Sequence, residues 1–280
     1  MLLTRDEIRF DFGGAQFELP RDRALLGWVF DQFLYGEVTG IQVGHWIHRA
    51  PNVESARFLA RQCAQELAHI GLVRQIFDVL EVEPRPAHRW VRFLSTGLMG
   101  AGWEEHVCLE MALGEGYVLA VFYALIDTVP EPRIRRLLEV AARQEETHVA
   151  FGETQTRIAA RSPRVRQHLL GMALLSLVVL RRLGVAAGRR LGADHPVCRQ
   201  LPAFTAHVAA MSEIRLQRAG LLDAPLVTLS RLQRARLIAA GACGRALLPL
   251  RMARRPRLTS TYLQDPAIAR SSVALRSSIP

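Results

Sequence analysis

Residues 65–70 read Gln-Glu-Leu-Ala-His-Ile and residues 144–149 read Gln-Glu-Glu-Thr-His-Val, so one Glu-x-x-His pattern is written twice. Each copy has a Gly-Glu pair upstream: Gly36-Glu37 lies 29 positions before Glu66, and Gly114-Glu115 lies 30 before Glu145. An isolated Glu-x-x-His is a weak signal; the doubled spacing carries the reading. Helical residues three apart share a face, so Glu66 points with His69 and Glu145 with His148. Pro51 stands 14 residues after Glu37 and 15 before Glu66, and Pro130 stands 15 from both Glu115 and Glu145. Chain reversals at those prolines put the four glutamates about 21 to 23 Å from a hairpin tip, so that the two hairpins give one six-residue layer.

The segments around the motifs are helical in pattern. Residues 1–20 read as an irregular arm. Apolar residues at three- and four-residue spacing then run from Asp22 to Arg49, from Asn52 as a cap to about Val82, from Pro86 to Asp127 with a bend near Gly97 to Gly102, and from Pro132 to Arg161. Further helices are expected near 165–191, 201–221 and 229–254, and no alternating strand pattern appears. These elements predict an all-α fold, a bundle of antiparallel helices with additional C-terminal helices. Residues 1–225 are expected to form one helical domain around a core at 22–161, and residues 226–280 a basic helix and tail.

Rotational phase agrees with height. Glu37 falls on the row Leu26, Phe30, Phe33, Ile41, Gly44; Glu66 and His69 on Leu59, Cys63, Val73, Ile76; Glu115 on Cys108, Met111, Leu119, Phe122; Glu145 and His148 on Ile134, Leu138, Ala141, Gly152. Four carboxylates aimed into an apolar interior each lose hydration worth on the order of several kcal/mol unless a cation compensates them. Four carboxylates and two imidazoles suit a pair of divalent first-row ions, iron or manganese, better than calcium or a structural zinc.

With one Glu from each of two helices and a Glu-x-x-His from each of two others, the stretch Asp22 to Arg161 resembles the ferritin-like, carboxylate-bridged di-iron oxidases and oxygenases. The resemblance implies a ferritin-like four-helix bundle with two iron ions, Fe/Fe or Mn/Fe, held by Glu37, Glu66, His69, Glu115, Glu145 and His148. It implies a non-haem oxidoreductase of monooxygenase or oxidase type with O2 as co-substrate, a small or acyl-chain organic substrate, and an external electron donor such as a ferredoxin or reductase. Four positions depart from patterns within the family. Val73 stands where a radical tyrosine would be expected in ribonucleotide reductase small subunits, and Ala141 where arylamine N-oxygenases carry an extra histidine. Gln65 and Gln144 replace an aspartate that braces a ligand histidine in many members.

Neighbouring residues have plainer readings. Gly36, Gly40, Gly114 and Gly116 either leave room beside the metals or let helices approach, and Phe30, Phe33, Met111, Leu119 and Phe122 are expected to line an apolar channel. Tyr35 and Tyr117 sit about 200° from their nearest ligand and should be packing residues. Cys63 and Cys108 read as small buried hydrophobes. His106, about half a turn from Glu115 in α geometry, is not counted as a ligand, and Glu153 reads either as a surface residue or as a group that supports the ligands from behind.

All 36 basic residues are arginine, which excludes lysine Schiff-base, pyridoxal-phosphate and P-loop chemistry. Residues 161–280 hold 20 arginines against four acids, while residues 1–160 are net acidic. Such a basic half suits an acidic carrier protein, an electron-donor protein or the periphery of an anionic membrane. The longest apolar run, Leu169 to Leu180, is short of the roughly twenty residues a spanning helix needs, and the four cysteines form no paired motif. A cytoplasmic homodimer is expected. The competing readings are a ferritin-like metal-storage or ferroxidase protein, and a non-enzymatic helical bundle whose basic half binds membrane or nucleic acid.

Overall fold

The computed structural model describes residues 1–93, 95, 100 and 102–246, and these are all-helical, with no strand among them. A one-turn helix α1 (Arg5–Ile8) sits in the N-terminal arm. Helix α2 (Leu19–Gly40) follows, with Pro20 in the first turn where its missing N–H costs nothing. The chain then tightens into a 3-10 helix over Ile41–Arg49. Helix α3 (Val53–Leu80) is capped by Asn52, whose side chain accepts from the Ser55 N–H at 2.8 Å, and ends at Glu81 in the left-handed conformation.

Helix α4 (Arg89–Arg92) is short, and most of the expected bend at Gly97 to Gly102 lies outside the described residues. From Trp103 the chain is continuously helical to Thr128: α5 (Trp103–Glu105), a π-helical stretch (His106–Glu115) and α6 (Gly116–Thr128). Helix α7 (Pro132–Ala159) has Pro132 in its first turn, as expected. The C-terminal elements are α8 (Pro163–Leu191), α9 (Pro196–Arg218), a 3-10 turn (Leu226–Thr228) and α10 (Arg231–Ala246). The tail and the end of the basic stretch lie outside the described residues.

Helix α2 packs on α3, α3 on α7, and α7 on the π-helical stretch and α6, while α8 packs on α9 and α10. The expected rows are buried along the π-helical stretch, α6 and α7 and, apart from half-buried Cys63, along α3, but the α2 row ends early. Ile41 and Gly44 are only partly buried; Val43 and Trp46 face inward instead, because a 3-10 helix repeats every three residues. The N-terminal arm is less loose than its sequence suggests. Phe12 and Phe17 are buried, Phe12 and Phe10 pack on Phe204, and His207 Nε2 meets the Ile8 carbonyl at 3.1 Å.

Two helices, Trp103–Thr128 and Pro163–Leu191, are long and apolar enough to cross a membrane. This corrects the reading from uninterrupted apolar runs, which overlooks that a helix tolerates scattered polar residues. Two-thirds of the apolar window in the first and half in the second are buried inside the protein, as core helices also are.

Candidate metal centre

The six predicted side chains converge. Glu37 comes from α2, Glu66 and His69 from α3, Glu115 from the end of the π-helical stretch, and Glu145 and His148 from α7. Glu37, Glu66, His69 and Glu145 each offer a ligand atom within 4.8 Å of one another, and Glu66, Glu115 and His148 do the same. This buried Glu/His cluster has the donors and spacing to hold metal. Five of the six are at most 4% exposed, and Glu115 is the most open.

The two motif glutamates lie between the histidines. Glu66 turns Oε2 toward His69 Nδ1 (3.8 Å) and Oε1 toward His148 Nδ1 (3.4 Å). Glu145 likewise places Oε1 3.2 Å from His69 Nδ1 and Oε2 3.3 Å from His148 Nδ1. Glu37 approaches His69 Nδ1 at 3.1 Å, and Glu115 lies 4.0 Å from His148 Nδ1. Each motif carboxylate thus offers one oxygen to each half of the cluster, and Glu37 and Glu115 close the two ends.

The glutamines before the motifs hold the histidines crosswise. His69 Nε2 donates to Gln144 Oε1 and His148 Nε2 to Gln65 Oε1, each at 2.7 Å. An amide oxygen only accepts, so both Nε2 atoms carry their protons and neutral imidazoles present Nδ1 lone pairs to the carboxylates. Acceptor then faces acceptor unless a cation, a proton or a metal, lies between them. Gln62, which sequence reasoning missed although it sits one turn before Glu66, donates to Glu115 Oε1 at 2.6 Å. Glu115 Oε2 is buried with no hydrogen-bond partner.

The acid–base balance reflects this crowding. Burial pushes the Glu37 and Glu115 carboxyls well above the usual carboxylate range, reinforced by repulsion from Glu145 and Glu66. Burial also opposes ionisation of Glu145, but hydrogen bonds from His148 and His69 hold it at about 2. For His69, hydrogen bonds to Glu145, Glu37 and Glu66 outweigh burial and raise the imidazolium above its ordinary range. Protons are therefore retained here when no other cation is present.

The surroundings sort the remaining candidates. A cavity of about 420 Å³ reaches the carboxylates of Glu37, Glu66, Glu115 and Glu145 and extends between α2, α8 and α9. Of the expected channel residues only Phe33 lines it. Phe30, Met111, Leu119 and Phe122 are spent in helix packing, because the cavity opens on the α8 side of the cluster. Gly36, Gly40 and Gly114 do line it, and a Cβ on Gly40 would stand 2.8 Å from Glu66 Oε2, so that glycine makes room for the carboxylate. Gly116 instead accommodates the Arg215 guanidinium.

Tyr117 is buried with its hydroxyl 3.1 Å from Ser176 Oγ, and Tyr35 is half-buried. Burial pushes the Cys108 thiol up to about 12, consistent with an inert core residue, and Cys63 is half-buried against the Ile41 carbonyl. His106 stays outside the cluster, but the π-helical winding brings it and Glu110, 2.8 Å apart, into the same cavity wall as Glu115. The half-turn offset expected from α geometry does not apply there. Glu153 is not a surface residue: it is 2% exposed and paired at 3.0 Å with Arg215, because Arg215 of α9 and the Leu2 N–H of the N-terminal arm both reach it.

Comparison with known proteins returns nothing that matches the chain: no family model, no curated protein and no solved structure.

Proposed function

We propose that the chain is a ferritin-like di-metal oxidoreductase, in which a four-helix core holds two iron ions, or manganese and iron, and uses O2 to oxidise an apolar organic substrate. The observation that carries this reading is the double-sided presentation of Glu66 and Glu145, one oxygen toward each histidine, with Glu37 and Glu115 at the ends. The donor set fits such a pair: oxygen and imidazole ligands of intermediate softness, Nδ1 atoms facing carboxylates, and an orphaned Glu115 Oε2. A metal pair bound there supplies dioxygen activation and the capacity for two-electron oxidation.

The chain's own residues do the rest. Gln65 and Gln144 fix the histidine tautomers and orientations, and Gln62 steadies the one carboxylate that is partly open to the cavity. Phe33, Val118, Val121 and Leu125 keep the approach apolar, which excludes water from the reacting face. The His106–Glu110 pair, in the cavity wall, is placed to hold a proton there. Electrons come from a separate donor, for which the basic half is a suitable surface, in a cytoplasmic homodimer.

Metal analysis tests this directly. Protein expressed with iron available and purified without added metal should carry about two equivalents of iron, or one each of iron and manganese, as the two-site proposal requires. The Glu66→Ala/Glu145→Ala double variant should lose them. A folded wild-type chain that cannot be loaded would sink the proposal. A large cage-forming oligomer would instead favour storage.

A further inference from the structure

A second pocket, of about 400 Å³, adjoins the apolar cavity on the outer side of α8. It is lined by Trp28, His88, Arg89, Trp90 and three arginines of α8: Arg182, Arg189 and Arg190. Trp28 lines both spaces. Helix α8 divides them by its faces: Leu180, Leu183, Gly184, Ala187 and Leu191 border the cavity, while Arg182, Arg189 and Arg190 border the outer pocket.

The charges of this vestibule are unbalanced. Among the described residues, Arg182, Arg189 and Arg190 have no carboxylate within ion-pair distance. Asp31, whose charge Arg190 affects, is buried and accepts the Arg85 backbone N–H at 2.6 Å. Arg89 lies over the Trp90 ring, 5.5 Å from its centroid. Guanidinium groups converging beside two indoles offer several donors to an anion and a flat apolar border to whatever it is attached to.

We infer that this vestibule seats the anionic head, phosphate or carboxylate, of a single-chain amphiphile whose tail lies in the apolar cavity and ends at the carboxylate cluster. The inference rests on the proposed di-metal function for what happens to the tail, though not for its binding. Trp28 and Glu37 are nine residues apart on α2, so the tail spans about 14 Å from vestibule to cluster. The arginines anchor the head, Trp28 marks the passage, and the cavity walls remove the tail from water.

Calorimetric titration of the full chain with dodecyl phosphate, dodecanoate, dodecanol and inorganic phosphate, below micelle-forming concentrations, tests this. Dodecyl phosphate or dodecanoate should bind more tightly than dodecanol, and inorganic phosphate far more weakly. Shortening the alkyl phosphate should weaken binding about three- to fourfold per methylene. An Arg182→Ala/Arg189→Ala/Arg190→Ala variant should bind dodecyl phosphate about tenfold more weakly while leaving dodecanol unaffected. Ala187→Phe, which intrudes on the cavity, should weaken both.

Equal affinity for dodecanol and dodecyl phosphate, or adsorption to phosphatidylglycerol vesicles without uptake of any single-chain amphiphile, would overturn the inference. If the triple variant does not fold, the head-group and chain-length series on the wild-type chain decides the matter alone. Iron content measured on the same preparations separates the two readings: loaded protein that takes up no amphiphile refutes the vestibule alone, and amphiphile uptake by protein that cannot be loaded refutes the metal centre alone.

Discussion

At the residue scale, the arrangement depends on groups that touch the histidines from behind. Gln65 and Gln144 each hold the histidine of the other motif, 83 and 75 residues away in sequence. Replacing either with leucine leaves a buried Nε2–H without an acceptor and frees the ring to turn. Each variant is expected to hold iron about 10- to 100-fold more weakly in competition with a chelator, with little loss of helix content. Unchanged retention would show that the glutamines only pack. Both were visible in the sequence as departures from a familiar pattern, but their partners were not, since pairing across two hairpins is a property of the assembled layer.

At the element scale, one departure from α geometry and one close helix contact shape the site. The π-helical stretch reorients the residues before Glu115, and α7 comes so close to it that a Cβ on Gly152 would lie 2.6 Å from Ala112 N and from Met111 Cβ. Neither atom belongs to a flexible side-chain end. Gly152→Ala should therefore destabilise the fold by about 1–3 kcal/mol and lower metal content as Glu115 shifts, both measurable on one preparation.

The start of α2 is tied to the start of α9 through buried Asp22, which accepts from Arg21, the Glu18 N–H and His195 Nε2 at 2.7–3.0 Å. Against the effect of burial, these donors hold its carboxyl well below the ordinary value of 3.8. The stability it contributes is present above that value and fades as pH falls through the depressed one. Asp22→Asn should cost about 1–3 kcal/mol in denaturant unfolding at pH 7. The gap between variant and wild type should narrow as pH falls below 3.8.

At the scale of the whole molecule, the basic C-terminal helices are part of the body that positions the cluster. Arg215 of α9 is 2% exposed, pairs with Glu153 of α7 and rests on Gly116, next to Glu115. Removing one partner strands a buried charge, so Arg215→Met alone should destabilise by about 3–5 kcal/mol, whereas the Arg215→Met/Glu153→Leu double variant should recover most of that. Denaturant unfolding of the three proteins checks this. Equal losses in the single and double variants would mean that α9 contributes packing rather than charge pairing.

The sequence by itself determined the helical class, the chain reversals and the six-residue layer, because those follow from periodicity, proline placement and spacing along single helices or hairpins. Local geometry carries such information over one or two turns at a time. Only the tertiary structure decided which glutamine braces which histidine, that Glu153 is buried against Arg215, that the cavity opens toward α8 rather than along the expected phenylalanines, and that His106 joins its wall. Each of these depends on how helices distant in sequence are docked, or on a local change of winding. A residue pattern written in α periodicity contains neither.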